Sequence, residues 1–187
     1  MYAIVTILDE TTSAIIQGLW QELEDRCGLS GIRAFPIPHF SWQGAEAYEI
    51  EAVNAMLEEI AAGASPWVMH ADGLGLFTGQ EPVIYVPISN SLRATRLHQA
   101  IWRRVKKFAS GLNTLYAPGL WMPHITLGLM DVNHEKLLCA VKELTNRPLL
   151  FEIQVNNLAL VSQEGDQVGQ LQRRFDFKGG DHGRFGA

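Results

Sequence analysis

Two stretches of the chain, FPIPHFSW at residues 35–42 and LWMPHITLG at residues 120–128, each place a histidine directly after a proline and a hydroxyl residue two positions further on. Side chains alternate across a β-strand, so His39 and Ser41 share one face while Phe40 and Trp42 take the other. His124 and Thr126 likewise share a face, opposed by Ile125 and Leu127. An imidazole, with an ordinary pKa of about 6.5, can take a proton from water or give one to a departing oxygen at neutral pH. A Ser or Thr hydroxyl can hydrogen-bond non-bridging oxygens whose charge must be stabilised in a transition state. Two histidines and two hydroxyls together suit a tetrahedral phosphate better than a planar carbonyl: acid, base and anion clamp are all present. Chance alone is a poor source for the pair. With 16 Ser and Thr in 187 positions, six histidines yield about 0.5 such tripeptides by accident, and His70, His98, His134 and His182 have no hydroxyl two residues on.

The elements that must position these groups are legible in the hydrophobic pattern. A strand is expected at 2–8 and a helix over TTSAIIQGLWQELEDRCG, with Ile15, Ile16, Leu19, Trp20 and Leu23 on one face and Gly28 after it. The first histidine strand is expected at 32–42, and Pro38 and Pro123, one directly before each histidine, suit a strand start or edge. A helix follows at 46–62 with Ile50, Val53, Leu57 and Ile60 inward, then strands at 67–72, 74–78 and 83–88. A basic helix starts after Ser91 and carries Leu97, Ile101, Val105 and Phe108 as its apolar stripe. The second histidine strand spans 120–129, a helix capped by Asn133 runs to about 145, and strands are expected at 149–155, 158–163 and 168–177.

The order of elements restarts midway. His39 to His124 is a step of 85 residues, Trp67 to Phe151 and Leu74 to Leu158 are steps of 84, and Trp20 to Trp102 is a step of 82. This pattern implies an internal duplication, with halves of about 1–80 and 81–177 in a single bilobed domain and 178–187 as a loose tail. The expected fold class is α+β: two pseudo-symmetric lobes, each an antiparallel sheet backed by helices, with the histidine strands side by side across a central cleft.

Composition narrows the function classes. A net charge of −5 disfavours coating extended nucleic acid, where phosphate neutralisation dominates affinity, but allows a small phosphoester or an RNA terminus. No run of about 20 apolar residues suggests a membrane span, and the N-terminal stretch lacks signal-peptide features, so a cytoplasmic monomer is expected. Cys27 and Cys139 have no metal-type spacing and are expected as separate buried thiols; no metal or other cofactor is expected. Arg93, Arg96, Arg103, Arg104, Lys106 and Lys107 read as a solvated helix face complementing the helix dipole rather than as a steering patch. Arg33, on the expected first strand, and Tyr116, just before the second motif, are candidates for touching a substrate. Gly73 and Gly75 do not complete a dinucleotide fingerprint, and His70 with Asp72 reads as a structural or surface pair.

His39-Phe40-Ser41 and His124-Ile125-Thr126 resemble the paired H-x-[S/T] signature of the 2H phosphoesterase superfamily, in particular its 2′-5′ RNA ligase-like, 2′,3′-cyclic phosphodiesterase branch. Trp121 and Pro123 before the second motif, Gly128 after it, and LGLFTGQEPVIYVPI add to the likeness, which covers about residues 1–177. The resemblance implies metal-independent opening of cyclic or 2′-5′ phosphodiesters, with ligation as the reverse reaction. His39 and His124 would then be the acid and base, and Ser41 and Thr126 would hold the phosphate; separately, Trp121 is an aromatic beside the second motif and a candidate to stack on a base of the substrate. A first hydroxyl that is Ser rather than Thr, and few basic residues near the motifs, depart from the RNA-processing pattern. A binding module using the same cleft, or a hydrolase of another phosphoester such as an ADP-ribose cyclic phosphate, are the alternatives.

Overall fold

The computed structural model describes residues 1–165 and 167–179. Its elements run β1 (Tyr2–Ile7), α1 (Glu10–Cys27), a 3-10 turn (Gly31–Ala34), β2 (His39–Tyr48), α2 (Ile50–Gly63), β3 (Trp67–His70), β4 (Gly75–Phe77), β5 (Val83–Pro87), α3 (Leu92–Val105) and β6 (Ala109–Leu112). A second 3-10 turn (Thr114–Tyr116), β7 (His124–Gly128), α4 (His134–Leu144), β8 (Glu152–Val155), β9 (Asn157–Ser162) and β10 (Gln170–Asp176) complete it. The helix starts follow from local chemistry. Asp9, Ser91 and Asn133 each accept a hydrogen bond from a first-turn N–H of α1, α3 and α4, satisfying a donor that has no partner within the helix. Gly28 ends α1 in the left-handed conformation, at φ 67°, which a side chain would disfavour.

All strand pairs are antiparallel. One sheet has the order β10-β9-β1-β2-β6, and α2 and α3 pack on it. The second lobe holds β4-β5-β7 and the pair β3-β8, linked where Ala71 bridges Ile88, with α1 against β7 and α4 beside α1. This is the mixed α and β, two-lobed, antiparallel architecture expected, but the lobes are not the two halves of the sequence. β1 and β2 share a sheet with β9 and β10, and β3 to β5 share a lobe with β7 and β8. The physical reason is that β1 is flanked on both sides: Tyr2 pairs Ala45 on β2 and Ser162 on β9, so early and late segments satisfy each other's backbone groups.

Several local expectations are corrected. The strand expected from residue 32 starts only at His39, because Pro36 and Pro38 have no N–H for a ladder and the chain before them winds into the 3-10 turn. β2 then continues to Tyr48, through residues expected as helix, because the unforeseen strand β6 pairs with it at Ala45–Leu112, Ala47–Ser110 and Tyr48–Ala109. Ile15 is 41% exposed, off the face formed by the buried Ile16, Leu19, Trp20 and Leu23. Cys27 and Cys139 are joined in a disulfide: α1 and α4 pack side by side and bring the two Cα atoms to 5.7 Å across 112 residues of sequence. The start of the expected loose tail is tied down, with the N–H groups of Lys178 and Gly179 donating to the carbonyls of Ala61 and Ala64. Residues 180–187, including His182, lie outside the described residues.

The inward faces of the two histidine strands anchor the core. Phe40, Trp42, Ile125 and Leu127 have no solvent exposure, and each full burial stabilises by about 1.5–3 kcal/mol. Because side chains alternate, fixing those four inward directs the residues between them into the opposite space. No helix among the described residues is long and apolar enough to cross a membrane.

Candidate active site

β2 and β7 lie against each other, and His39, Ser41, His124 and Thr126 line one cavity of about 710 Å³. Both strands carry a bulge one residue past the hydroxyl. On β2, Trp42 is skipped between the pairs Val5–Ser41 and Ile4–Gln43; on β7, Leu127 is skipped between Tyr85–Thr126 and Ile84–Gly128. A bulge twists its strand and re-aims the side chains beside it. The same irregularity at the same place on each strand gives the two motifs matching local geometry.

The two imidazoles are held alike. His39 Nδ1 donates to the carbonyl of Ile37 at 2.6 Å, and His124 Nδ1 donates to the carbonyl of Met122 at 2.7 Å. A carbonyl can only accept, so each bond fixes the proton on Nδ1 and leaves Nε2 as the nitrogen with its lone pair available. A ring edge supports each imidazole: Phe35 at 4.9 Å from His39, Phe77 at 5.0 Å from His124, with Tyr85 also at 5.0 Å from His124. Two glycines make room for these rings. A Cβ on Gly169 would fall 1.8 Å from the Phe35 ring, and one on Gly75 would fall 2.3 Å from the Tyr85 ring.

The hydroxyl residues are braced by tryptophans. Trp121 Nε1 donates to the carbonyl of Ser41 and Trp20 Nε1 donates to the carbonyl of Thr126, at 2.9 and 3.0 Å. Trp121 is sandwiched in turn, parallel to the His98 ring at 4.2 Å and stacked on Trp42 at 5.1 Å. His98 Nε2 donates to the carbonyl of Tyr116, so the loop before β7 is fastened to the same stack. The Tyr116 side chain reaches the cavity and sits beside the Ser41 hydroxyl; burial pushes its phenol pKa up.

Burial is the main cause of every histidine shift here. It holds His39 below the ordinary imidazole value, and the nearby His124 charge pushes the same way, while the bond to Ile37 opposes both. His124 is held down by burial against the opposing bond to Met122. Two such rings resist carrying charge together.

The remaining sequence candidates divide. Tyr116 lines the cavity. Trp121 borders a second, adjoining cavity of about 470 Å³ but is 8% exposed, and its polar edge is spent on the Ser41 carbonyl. Arg33 is not brought to the cleft: it lies in the 3-10 turn and its guanidinium donates to Glu24 and Gln21. On the basic helix, Arg93 lies over Trp67 and Arg104 pairs with Glu59, and neither borders the cavity. Sequence reasoning missed Phe35, Phe77, Tyr85 and Trp20, whose roles depend on packing between elements. It also missed Glu46, Asn113 and Gln163, which line the larger cavity. Glu46 falls at the start of an expected helix, and only the pairing of β2 with β6 puts it on a strand. Among the described residues no group of three or more His, Cys, Asp or Glu side chains is arranged to hold a metal ion.

The profile of the 2′-5′ RNA ligase superfamily matches residues 12–167. No curated protein sequence matches the chain. Among solved structures, TT0787 of Thermus thermophilus shares the fold at TM-score 0.66 and 20% identity, over 97% of this chain and 99% of that one. E. coli LigT complexed with 3′-AMP superposes at TM-score 0.57 and 13% identity, over 95% and 98% of the two chains. Usb1 of Kluyveromyces marxianus gives TM-score 0.51 at 11% identity, over 91% and 95%.

Proposed function

The chain belongs to the 2′-5′ RNA ligase superfamily, the 2H phosphoesterases, and from that premise we propose that it opens 2′,3′-cyclic phosphates on small nucleotides or RNA ends by two-histidine acid–base catalysis. The observation that carries this reading is the matched pair of imidazoles, each with Nδ1 tied to the carbonyl two residues back and Nε2 left open, in one cavity. LigT has been crystallised with 3′-AMP and with ATP, which supports a nucleotide-sized phosphoester as ligand.

In this mechanism His39 Nε2 takes a proton from water as the water oxygen bonds to phosphorus. His124 gives its Nε2 proton to the ribose oxygen as the second P–O bond breaks. We place the base on His39 and the acid on His124; burial holds both imidazoles down, so the pair carries at most one Nε2 proton, and the pH profiles of the single variants test which ring holds it. Ser41 and Thr126 donate to the non-bridging oxygens, held by the indole bonds to their carbonyls. Afterwards His39 loses its proton to solvent and His124 regains one. With a 5′-hydroxyl in place of water, the same groups would open the cyclic phosphate into a 2′-5′ phosphodiester, His39 taking the hydroxyl proton and His124 protonating the departing 3′-oxygen. We read residues 1–177 as one unit that carries this chemistry.

Hydrolysis of the four 2′,3′-cyclic nucleoside monophosphates in EDTA tests the proposal. Turnover to a single phosphomonoester isomer is expected. Ligand binding without turnover of these or of a cyclic-phosphate RNA end would show a binding module instead.

A further inference from the structure

The cleft continues past the histidines. The cavity of about 470 Å³ shares Asn113, Tyr116, His124, Thr126 and Leu129 with the larger one, so a group bonded to the reacting phosphorus can extend directly into it. Its own wall is Phe77, Val83, Leu115, Leu120, Trp121 and Met122, with the Thr78 hydroxyl among them. Leu115, Leu120 and Met122 are 72%, 64% and 50% exposed, a cost in water that a covering apolar group would remove. The polar edges available there are few: the Asn113 side-chain oxygen already accepts the N–H of Leu115. The volume lies in the ordinary range for small-molecule sites, about 300–1,000 Å³.

The electrostatics of the two cavities agree with that wall. Among the described residues neither is lined by a Lys or Arg, and the larger carries the carboxylate of Glu46. The donors facing the phosphate are neutral hydroxyls and at most one imidazolium, enough for a single anionic phosphodiester. A second or third phosphate along an RNA strand would meet no Lys or Arg there and would face Glu46, and the Met1 ammonium that lines the larger cavity already donates to the Gln163 carbonyl.

Resting on the phosphodiesterase reading above, we infer that the substrate is a small, singly charged cyclic phosphodiester with an uncharged apolar arm, an alkyl or simple aryl group, seated on the His124 side against Phe77, Val83, Leu120 and Met122. The phosphate provides the reaction and the arm provides the specificity.

A series of 1-O-alkylglycerol 2,3-cyclic phosphates, methyl to hexyl, tests this, with the 2′,3′-cyclic nucleoside monophosphates and a cyclic-phosphate-ended RNA octamer alongside. Both kcat/KM and the dissociation constant, by calorimetry, are measured. Each methylene buried raises affinity by about three- to fourfold, so hexyl, with five more methylenes, is expected to exceed methyl by about 10²- to 10³-fold in both quantities, and Leu120→Glu to flatten the rise. Cyclic nucleotides and RNA are expected to fall below hexyl. A dissociation constant independent of chain length, or preference for the RNA or a cyclic nucleotide, overturns the apolar arm. Loss of turnover on every compound with the affinity trend intact would instead remove the phosphodiesterase reading and leave the apolar arm standing.

Discussion

Replacing His39 or His124 by asparagine separates the nitrogen proposed to transfer a proton from the structural one. An asparagine amide nitrogen occupies roughly the place of imidazole Nδ1, so it can still donate to the carbonyl of Ile37 or Met122, now bonded at 2.6 and 2.7 Å. What disappears is Nε2. A positioned proton-transfer group contributes about 10²–10⁴ in rate, or about 3–5 kcal/mol of activation free energy at 1.36 kcal/mol per decade. Since the carbonyl keeps its partner, the usual cost of about 1–3 kcal/mol for orphaning a buried acceptor is avoided. Each variant is therefore expected to fold with a melting temperature near that of the parent and to lose 10²–10⁴ in kcat/KM on 2′,3′-cyclic nucleotides in EDTA. The pH profile distinguishes the two: His39→Asn should lose the acidic limb of the bell and His124→Asn the alkaline limb. The double variant should be no more than about tenfold worse than either single one, because acid and base act as a unit. A folded Asn variant retaining activity within about threefold of the parent would refute the two-histidine mechanism.

Three further outcomes are expected. Trp121→Phe keeps an aromatic ring between His98 and Trp42 but removes the donor to the Ser41 carbonyl, and Trp20→Phe does the same at Thr126; each should destabilise by about 1–3 kcal/mol and lower kcat more than it raises KM, and unchanged kcat would show that the indoles do not position the hydroxyls. Gly75→Ala puts a Cβ 2.3 Å from the Tyr85 ring, an overpacking cost of about 1–3 kcal/mol that should displace Tyr85 from His124 and slow turnover, checked by urea denaturation and initial rates; an unaffected variant would mean the ring is free to move. His39, His98 and His124 are all held below 6.5 by burial, so the unfolded chain binds more protons than the folded one as pH falls below that value; stability should be complete above pH 6.5 and decline on acidification through the folded values, and a urea midpoint that rises between pH 7.5 and pH 5.5 would contradict the shifts.

The two motifs were legible because their evidence is local and repeated. A histidine, an apolar residue and a hydroxyl at strand spacing state which side chains face together, and the step of 85 residues states that the arrangement occurs twice. Helix positions were legible for a related reason: a 3.6-residue stripe and, at α4, the capping Asn133 act within one turn. By contrast, β6 and the last residues of β2 are short segments with no decisive period, and only their mutual pairing makes them strands.

What the linear order could not reveal is which distant groups meet. The step between motifs suggested lobes cut at mid-chain, whereas backbone pairing on both sides of β1 interleaves the ends of the chain in one sheet. The disulfide between Cys27 and Cys139 depends on two helices far apart in sequence lying side by side. Arg33 looked available until a turn swung it onto Glu24, and Trp20 looked like one more core residue until packing aimed its N–H at Thr126. The sequence by itself determined the reactive groups and the faces they share, because alternation and periodicity are short-range consequences of backbone geometry. Only the tertiary structure decided the tautomers, the bracing indoles, the depressed basicity and a cleft lined by no Lys or Arg, because each arises from atoms that only folding brings within a few ångströms of each other.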